Sequence, residues 1–226
     1  MALLGQGAIT IWQDARPEAR AEFFEWHNRE HIAERVGIAG FLRARRWVAI
    51  DGAPEFFTLY ETADPQVHSS AGYLERLNNP SPWTRRFAPN MVNNIRSLCR
   101  VAYSIGAGQG GLLVALRYDV TLASEQAQLQ LLTEKILPKL VEQPGITGVH
   151  LCLADKAASS IQTEEKKSRP QAALVPTWVI LVEGAADRAS LLAACSEALA
   201  DQVLTAAGAY GIARGLYQLQ YGYSVK

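Results

Sequence analysis

The sequence predicts an α+β protein built as two tandem βαββαβ units whose antiparallel sheets pack together. Three observations predict it. Strand-like and helix-like stretches follow the order β-α-β-β-α-β and, past a glycine-rich joint at 106–111 (GAGQGG), follow it again. The tetrapeptide Gly37-Ile38-Ala39-Gly40 returns as Gly145-Ile146-Thr147-Gly148 at the same helix-to-strand junction, and residues 57–64 approximately parallel 180–187. The length of 226 residues also suits two units of about 110 each, since domains cluster near 100–150 residues. Repetition of order and motif together reads as a tandem duplication of a ferredoxin-like unit, 1–106 followed by 107–226.

Each element has a local reason. Residues 7–13 alternate as a strand that Asp14 ends, Pro17 suits the first turn of a helix, and nothing breaks that helix before Gly37. Residues 40–50 and 55–61 are strand-like about the turn 51–54, which makes an antiparallel hairpin. A weakly helical stretch covers 65–78, NNPSPW (78–83) breaks the chain, and 92–105 closes the first unit as a strand. The second unit reads as strand 112–120, helix 124–143 with Ser124 placed to cap it, strands 145–155 and 173–184, helix 187–204 and strand 211–223. Residues 156–171 interrupt the second hairpin, and their charged, Ser-rich character predicts an exposed mobile loop.

A ferredoxin-like unit covers one sheet face with helices and leaves the other in need of cover. Two units on one chain can therefore stack their open faces about a pseudo-two-fold, as a pseudo-dimeric α+β barrel. Its interior, or a helix–sheet cleft beside it, is where a ligand belongs.

Composition narrows the function. Twenty-two basic residues balance twenty-two acidic ones, so no global field draws the chain to nucleic acid or to a membrane surface. No stretch of eighteen apolar residues and no signal-like N-terminus occurs, and a cytoplasmic protein is the expectation. Cys99, Cys152 and Cys195 are odd in number and far apart, which fits three small buried residues rather than a disulfide framework or a metal motif. The joint 106–111 lacks the Lys-Ser/Thr of a phosphate loop and precedes a strand, so it reads as a hinge between halves.

Two groups of residues carry candidate chemistry. His27 and His31 share a helix face with Phe24 and Arg35, and a histidine of near-neutral pKa there can move a proton while Glu30 or Glu34 orients its ring. The same run, His27 to His31, matches H-x-x-E-H, which in zinc enzymes needs a third, distant acidic ligand. Glu75 lies on a predicted helix, but the small residues and glycine turn of such sites are missing and Arg29 opposes a cation. No metal is expected.

The second group lies on strands. If Leu42, Ala44 and Val48 face the helices, Phe41, Arg43, Arg45 and Trp47 face the interior, and Arg96 and Arg100, with Asn94, do so from the last strand of the half. An unpaired buried guanidinium costs several kcal/mol, so these arginines need anions. Either a small anionic ligand supplies them, walled by Trp12, Trp47 and Tyr60, or Glu55, Glu61 and Glu183 pair them across the halves. His150, on the counterpart strand, is expected to be structural, and His68 to be exposed.

Phe23, Phe24, Trp26 and His31 on the first helix, then Gly40 and an arginine- and aromatic-bearing strand, resemble the EthD-like branch of the dimeric α+β barrel superfamily. The motif spans about 40 residues, and element order extends the resemblance to the whole chain. It implies a cofactor-independent isomerase or monooxygenase in which His31, with His27, is general acid/base and arginines bind the substrate. It also allows a non-catalytic module for a small ligand or haem. This chain has His31-Ile32-Ala33 where that branch commonly has His-Ala-Pro, and the second half has Lys139 or Ile136 where a second histidine would fall, so one site in the first half is expected. A fused pair can stand as a monomer, and a further two-fold homodimer is also expected.

Overall fold

Strands that alternate large apolar residues on both faces must bury both, and a closed sheet flanked by helices does so. The computed structural model describes residues 2–224. The N-terminal repeat supplies β1 (Gly7–Ala15), β2 (Phe41–Asp51), β3 (Phe56–Thr62) and β4 (Met91–Gly106). The C-terminal repeat supplies β5 (Leu112–Val120), β6 (Ile146–Ala154), β7 (Trp178–Gly184) and β8 (Ala209–Ser224). They close one barrel in the order β1-β3-β2-β8-β5-β7-β6-β4. Every pairing is antiparallel, and β2 with β8 and β4 with β6 join the repeats.

Helices cover the outside. In the first repeat Pro17 opens a short turn that runs into α1 (Arg20–Trp26), a π-helical turn (His27–His31) and α2 (Ile32–Val36). Then come α3 (Ala71–Asn78) and α4 (Pro82–Phe87), whose first turns are capped by the hydroxyls of Ser70 and Ser81. The second repeat matches this with α5 (Glu125–Gln130), a π turn (Leu131–Ile136) and α6 (Leu137–Leu140). After α7 (Lys156–Ser160) and α8 (Glu164–Lys167), α9 (Arg188–Ala198) and α10 (Asp201–Ala206) complete the set.

The barrel interior is packed, not hollow: Trp12, Trp47, Phe57, Leu59, Cys99, Cys152, Leu181 and Tyr217 form one buried cluster. A second core lies under the C-terminal helices around Leu132, Leu137, Leu151 and Leu204. The N-terminal helices cover two smaller cores, around Ile32, Phe41, Tyr60 and Tyr73 and around Phe23, Trp26, Phe56 and Phe87. All three cysteines are buried and free.

Several expectations are corrected. A bulge between Phe41 and Arg43 inserts one extra residue, so Phe41 turns to the helix side while Arg43, Arg45 and Trp47 point inward. Asn94, Arg96 and Arg100 do share a face, but it is the outer one, since Ile95 and Cys99 take the interior. His68 is buried against the Thr62 hydroxyl at 3.0 Å. Ser124 makes no cap, because its hydroxyl accepts from Thr121 instead. The break at 78–83 is followed at once by α4, which Ser81 and Pro82 start.

The largest correction concerns 156–171, which is a packed insertion rather than an exposed loop. Asp155 and Thr163 cap α7 and α8, and Ser159, Thr163 and Glu165 are buried against the N-terminal repeat. The chain lies along β4 below the end of β6: Asp155 N–H donates to the Leu98 carbonyl, Leu98 N–H to Ser159, and Arg96 N–H to the Leu174 carbonyl. Residues 173–177 therefore do not extend β7; Leu174 bridges Ile95 in parallel. The insertion covers a sheet edge that β6 leaves open.

Candidate functional site: the N-terminal helix–sheet cleft

The helix from Arg20 to Val36 lies over the outer faces of β1 to β4, and its π turn holds both histidines inward. Their rings stack at 5.5 Å, His27 also lies 4.9 Å from the Phe23 ring, and His31 lies 4.3 Å from that of Trp26. Arg46 Nη1 donates to His27 Nδ1 at 2.8 Å, which makes that nitrogen an acceptor. Burial, followed by His31 and the Arg46 charge, pushes the His27 pKa well below the usual imidazole value. Burial, then Arg35 and Arg169, does the same to His31. Both rings are neutral at pH 7. His31 Nδ1 is buried without a hydrogen-bond partner.

Next to His31 lies a knot of charge. Arg35 pairs with Glu165 from the insertion, Arg169 pairs with the other Glu165 oxygen at 3.0 Å, and Arg96 donates to the Tyr73 hydroxyl at 2.6 Å. The Tyr60 hydroxyl is buried there without a partner, and burial pushes its pKa up. Arg46, with Nε on Gln220 at 2.8 Å, has its guanidinium 5.2 Å from the Phe24 ring and 5.5 Å from that of Tyr221.

The duplication supplies an internal control. Gly40 and Gly145 both have φ near +90°, both precede the returning strand, and both accept from the residue after the hairpin, Ala63 and Ala185. Structural equivalence thus pairs Gly40 with Gly145, three residues away from the G-I-x-G match in the sequence. Carried along the helices and strands, it sets His27 opposite Leu132, His31 opposite Ile136, Arg35 opposite Leu140, Arg46 opposite Leu151 and Tyr60 opposite Val182. The fold fills all five positions with aliphatic side chains in one half and with polar ones in the other. Both halves keep the π turn, so that turn belongs to the fold and only the residues on it differ.

The interior arginines are paired by the protein itself. Arg43 grips Glu61 with two hydrogen bonds of 2.7 and 2.8 Å, and Arg45 lies 3.2 Å from Glu61 and 2.8 Å from Glu183. His150 lies 3.4 Å from Glu183, with Nδ1 2.8 Å from the Ser104 hydroxyl. Burial works to raise the Glu183 pKa, but His150 and Arg45 hold it down at about 2. Trp12 and Trp47 pack inside this barrel, so of the residues expected to form one site, only His27, His31, Tyr60 and Arg96 share the cleft. Arg100 is exposed on the outer face. Arg35, Arg46, Tyr73, Glu165 and Arg169 were not singled out for the site. Arg46 has the same strand parity as Ala44 and Val48, which was the available signal.

Glu30 takes a hydrogen bond from Ser81 and does not approach either histidine's ring nitrogens. Among the described residues no group of three His, Cys, Asp or Glu side chains could hold a metal ion. No helix among them is long and apolar enough to cross a membrane.

No protein-family model and no curated protein matches the chain. Solved structures do. An anthrone oxidase-like protein aligns with TM-score 0.64 at 13% identity, over 96% of this chain and 92% of the other. A provisionally assigned monooxygenase from Fusobacterium nucleatum aligns with TM-score 0.59 at 13% identity, over 98% and 96%. A provisionally assigned chlorite dismutase aligns with TM-score 0.57 at 11% identity, over 96% of each chain. With eight strands from two ferredoxin-like repeats closing one barrel, the chain has the dimeric α+β barrel fold of these proteins.

Proposed function

We propose that the N-terminal helix–sheet cleft is the site of a cofactor-independent small-molecule enzyme, an EthD-like isomerase or monooxygenase, with His31 as general acid/base. The observation that carries this reading is the asymmetry between the repeats. Packing at this place is satisfied by Leu132, Ile136 and Leu140 in one half, so His27, His31 and Arg35 in the other answer to something other than packing. A neutral imidazole with an unpartnered Nδ1 is an acceptor for a substrate proton, and Arg46 on His27 stabilises the anion so formed. Such a carbanion or enolate can rearrange, or give electrons to O2 without a cofactor.

The arginine contribution comes from Arg46 and Arg96, which pair with no carboxylate among the described residues, rather than from Arg43 and Arg45, whose charges Glu61 and Glu183 already meet. A haem at His31, like any substrate of this site, needs the packed side chains to move. The His31 ring lies between Trp26 at 4.3 Å and His27 at 5.5 Å, and the cavities of about 480 and 440 Å3 are lined by other residues.

Anthrone, which has an acidic C–H and is oxidised by O2 to anthraquinone and water, is a suitable first compound beside a panel of lactones. Oxygen uptake or isomerisation that falls at least a hundredfold in His31→Gln, with unchanged circular dichroism, supports the reading. Full turnover in that variant contradicts it. Binding without turnover in the native chain would leave a ligand-binding module.

A further inference from the structure

We infer that the cleft takes a carboxylate-bearing ligand and that Glu165, carried in by the insertion of the second repeat, holds that carboxylate's place in the closed form. This rests on the reading of the cleft as the functional site and names the class of its ligand. The charge inside is unequal. Arg35, Arg96 and the side chain of Arg169 are all more than nine-tenths buried, and Glu165 is the one fully buried carboxylate among them. Glu34, 3.7 Å from Arg35, is partly exposed and shared with Arg76. Nε and Nη1 of Arg169 and Nη1 of Arg35 are buried without a hydrogen bond, as are the Tyr60 hydroxyl and His31 Nδ1. A group with two acceptor oxygens meets this set as Glu165 does, bridging two guanidiniums.

The way Glu165 arrives points to a removable occupant. It lies on α8, four residues long, inside a segment that has no equivalent in the first hairpin, where only 52–55 separate β2 from β3. The segment's ends are fixed to each other and to the barrel: Ala154 N–H donates to the Thr177 carbonyl, and Thr177 donates from N–H and hydroxyl to Asp119. Between Ser159, which accepts from Leu98 N–H, and Leu174, which is paired with Arg96, the arc 160–173 meets the first repeat through Glu164 N–H on Asn78 and Glu165 on Arg35. Within the segment itself lies a cavity of about 200 Å3 lined by Ser159, Lys166, Arg169, Gln171 and Val175, so open space reaches Arg169, the partner of Glu165. Arg169 is thus a ligand-contacting residue, and Glu165 the occupant it releases, that one repeat supplies at the site of the other.

The test is calorimetric titration of the full chain with 2-naphthoate and with its neutral counterpart, 2-naphthalenemethanol. Glu165→Gln, which keeps the shape and removes the charge, is expected to bind naphthoate at least tenfold tighter than the native chain while the neutral compound changes less than twofold. Adding Arg169→Ala is expected to reverse the gain. Equal gains for both compounds, no gain, or no naphthoate binding to either form would overturn the inference. Hydrogen exchange of the native chain gives a variant-free check: naphthoate should speed exchange of amides 156–167, and unchanged exchange at saturating naphthoate counts against it. If naphthoate behaves as expected but no turnover depends on His31, the enzyme reading fails and this inference stands. If turnover depends on His31 while Glu165→Gln leaves naphthoate affinity unchanged, the reverse holds.

Discussion

Arg45 is a fully buried guanidinium that survives because Glu61 and Glu183 face it from opposite repeats. Removing one partner of such a group leaves uncompensated charge, a loss of about 3–5 kcal/mol, whereas removing both sides is far milder. Arg45→Ala is expected to lose about that much in urea unfolding, and Arg45→Met with Glu183→Gln to recover more than half of it; equal losses would contradict the pairing. The sequence showed that these arginines needed anions and included the right glutamates among the candidates. Strand parity put Arg43 and Arg45 inward, where they lie, but it could not show that Arg96 and Arg100 face out, because parity does not say which face of β4 is the inner one. The histidines add a pH signature. Burial holds His27, His31, His68 and His150 below their ordinary value, His68 at about 4, so they are neutral in the fold and protonated more readily in the unfolded chain. Their contribution is complete above pH 6.5 and is lost as pH falls from there toward 4, by up to about 1.4 kcal/mol per pH unit for each histidine. Unfolding free energies between pH 7.5 and 4.5 should show this fall, shallower in His68→Gln; a flat profile would be inconsistent with buried neutral rings.

At the scale of elements, glycine separates the junctions from the helices. Gly40 sits at φ +91°, and a Cβ there would come within 2.5 Å of Val67. Gly72 lies exposed in α3 at ordinary φ, with Ile38 3.7 Å from an added Cβ. Gly40→Ala is therefore expected to cost about 2 kcal/mol or more, while Gly72→Ala gains up to about 1 kcal/mol from helix propensity; chemical denaturation distinguishes them. The recurring G-I-x-G falls at the junction the two repeats share, yet its register is three residues from the structural one, in which Gly40 and Gly145 are equivalent. The insertion was harder to read. Its Ser, Thr, Glu and Lys content looks like solvent-facing loop, but Asp155 and Thr163 are N-caps, and Ser159 and Glu165 meet partners on the other repeat that no local pattern reveals.

At the scale of the molecule, the two repeats share one barrel, and each closes the edges of the other through β2–β8 and β4–β6. Residues 1–106 by themselves would expose Trp12, Trp47 and Phe57 along with both edges. Sedimentation of that fragment should find a dimer or aggregate, and a stable folded monomer would contradict both the shared interior and a repeat boundary at 106/107. Element order and patterning made the barrel legible in the sequence, because burying both sheet faces leaves few arrangements. The candidate site was half legible: its histidines stood out, while Arg46 and the residues of the insertion converge only through tertiary packing. On the proposed function, His31 serves chemistry at a place where the second repeat carries the aliphatic Ile136. The equilibrium unfolding free energy of His31→Ile, which copies its counterpart Ile136, tests this most directly. The expected variant is as stable as the native chain or about 1 kcal/mol more stable; a loss of about 2 kcal/mol or more would make His31 a structural residue and contradict the proposed function.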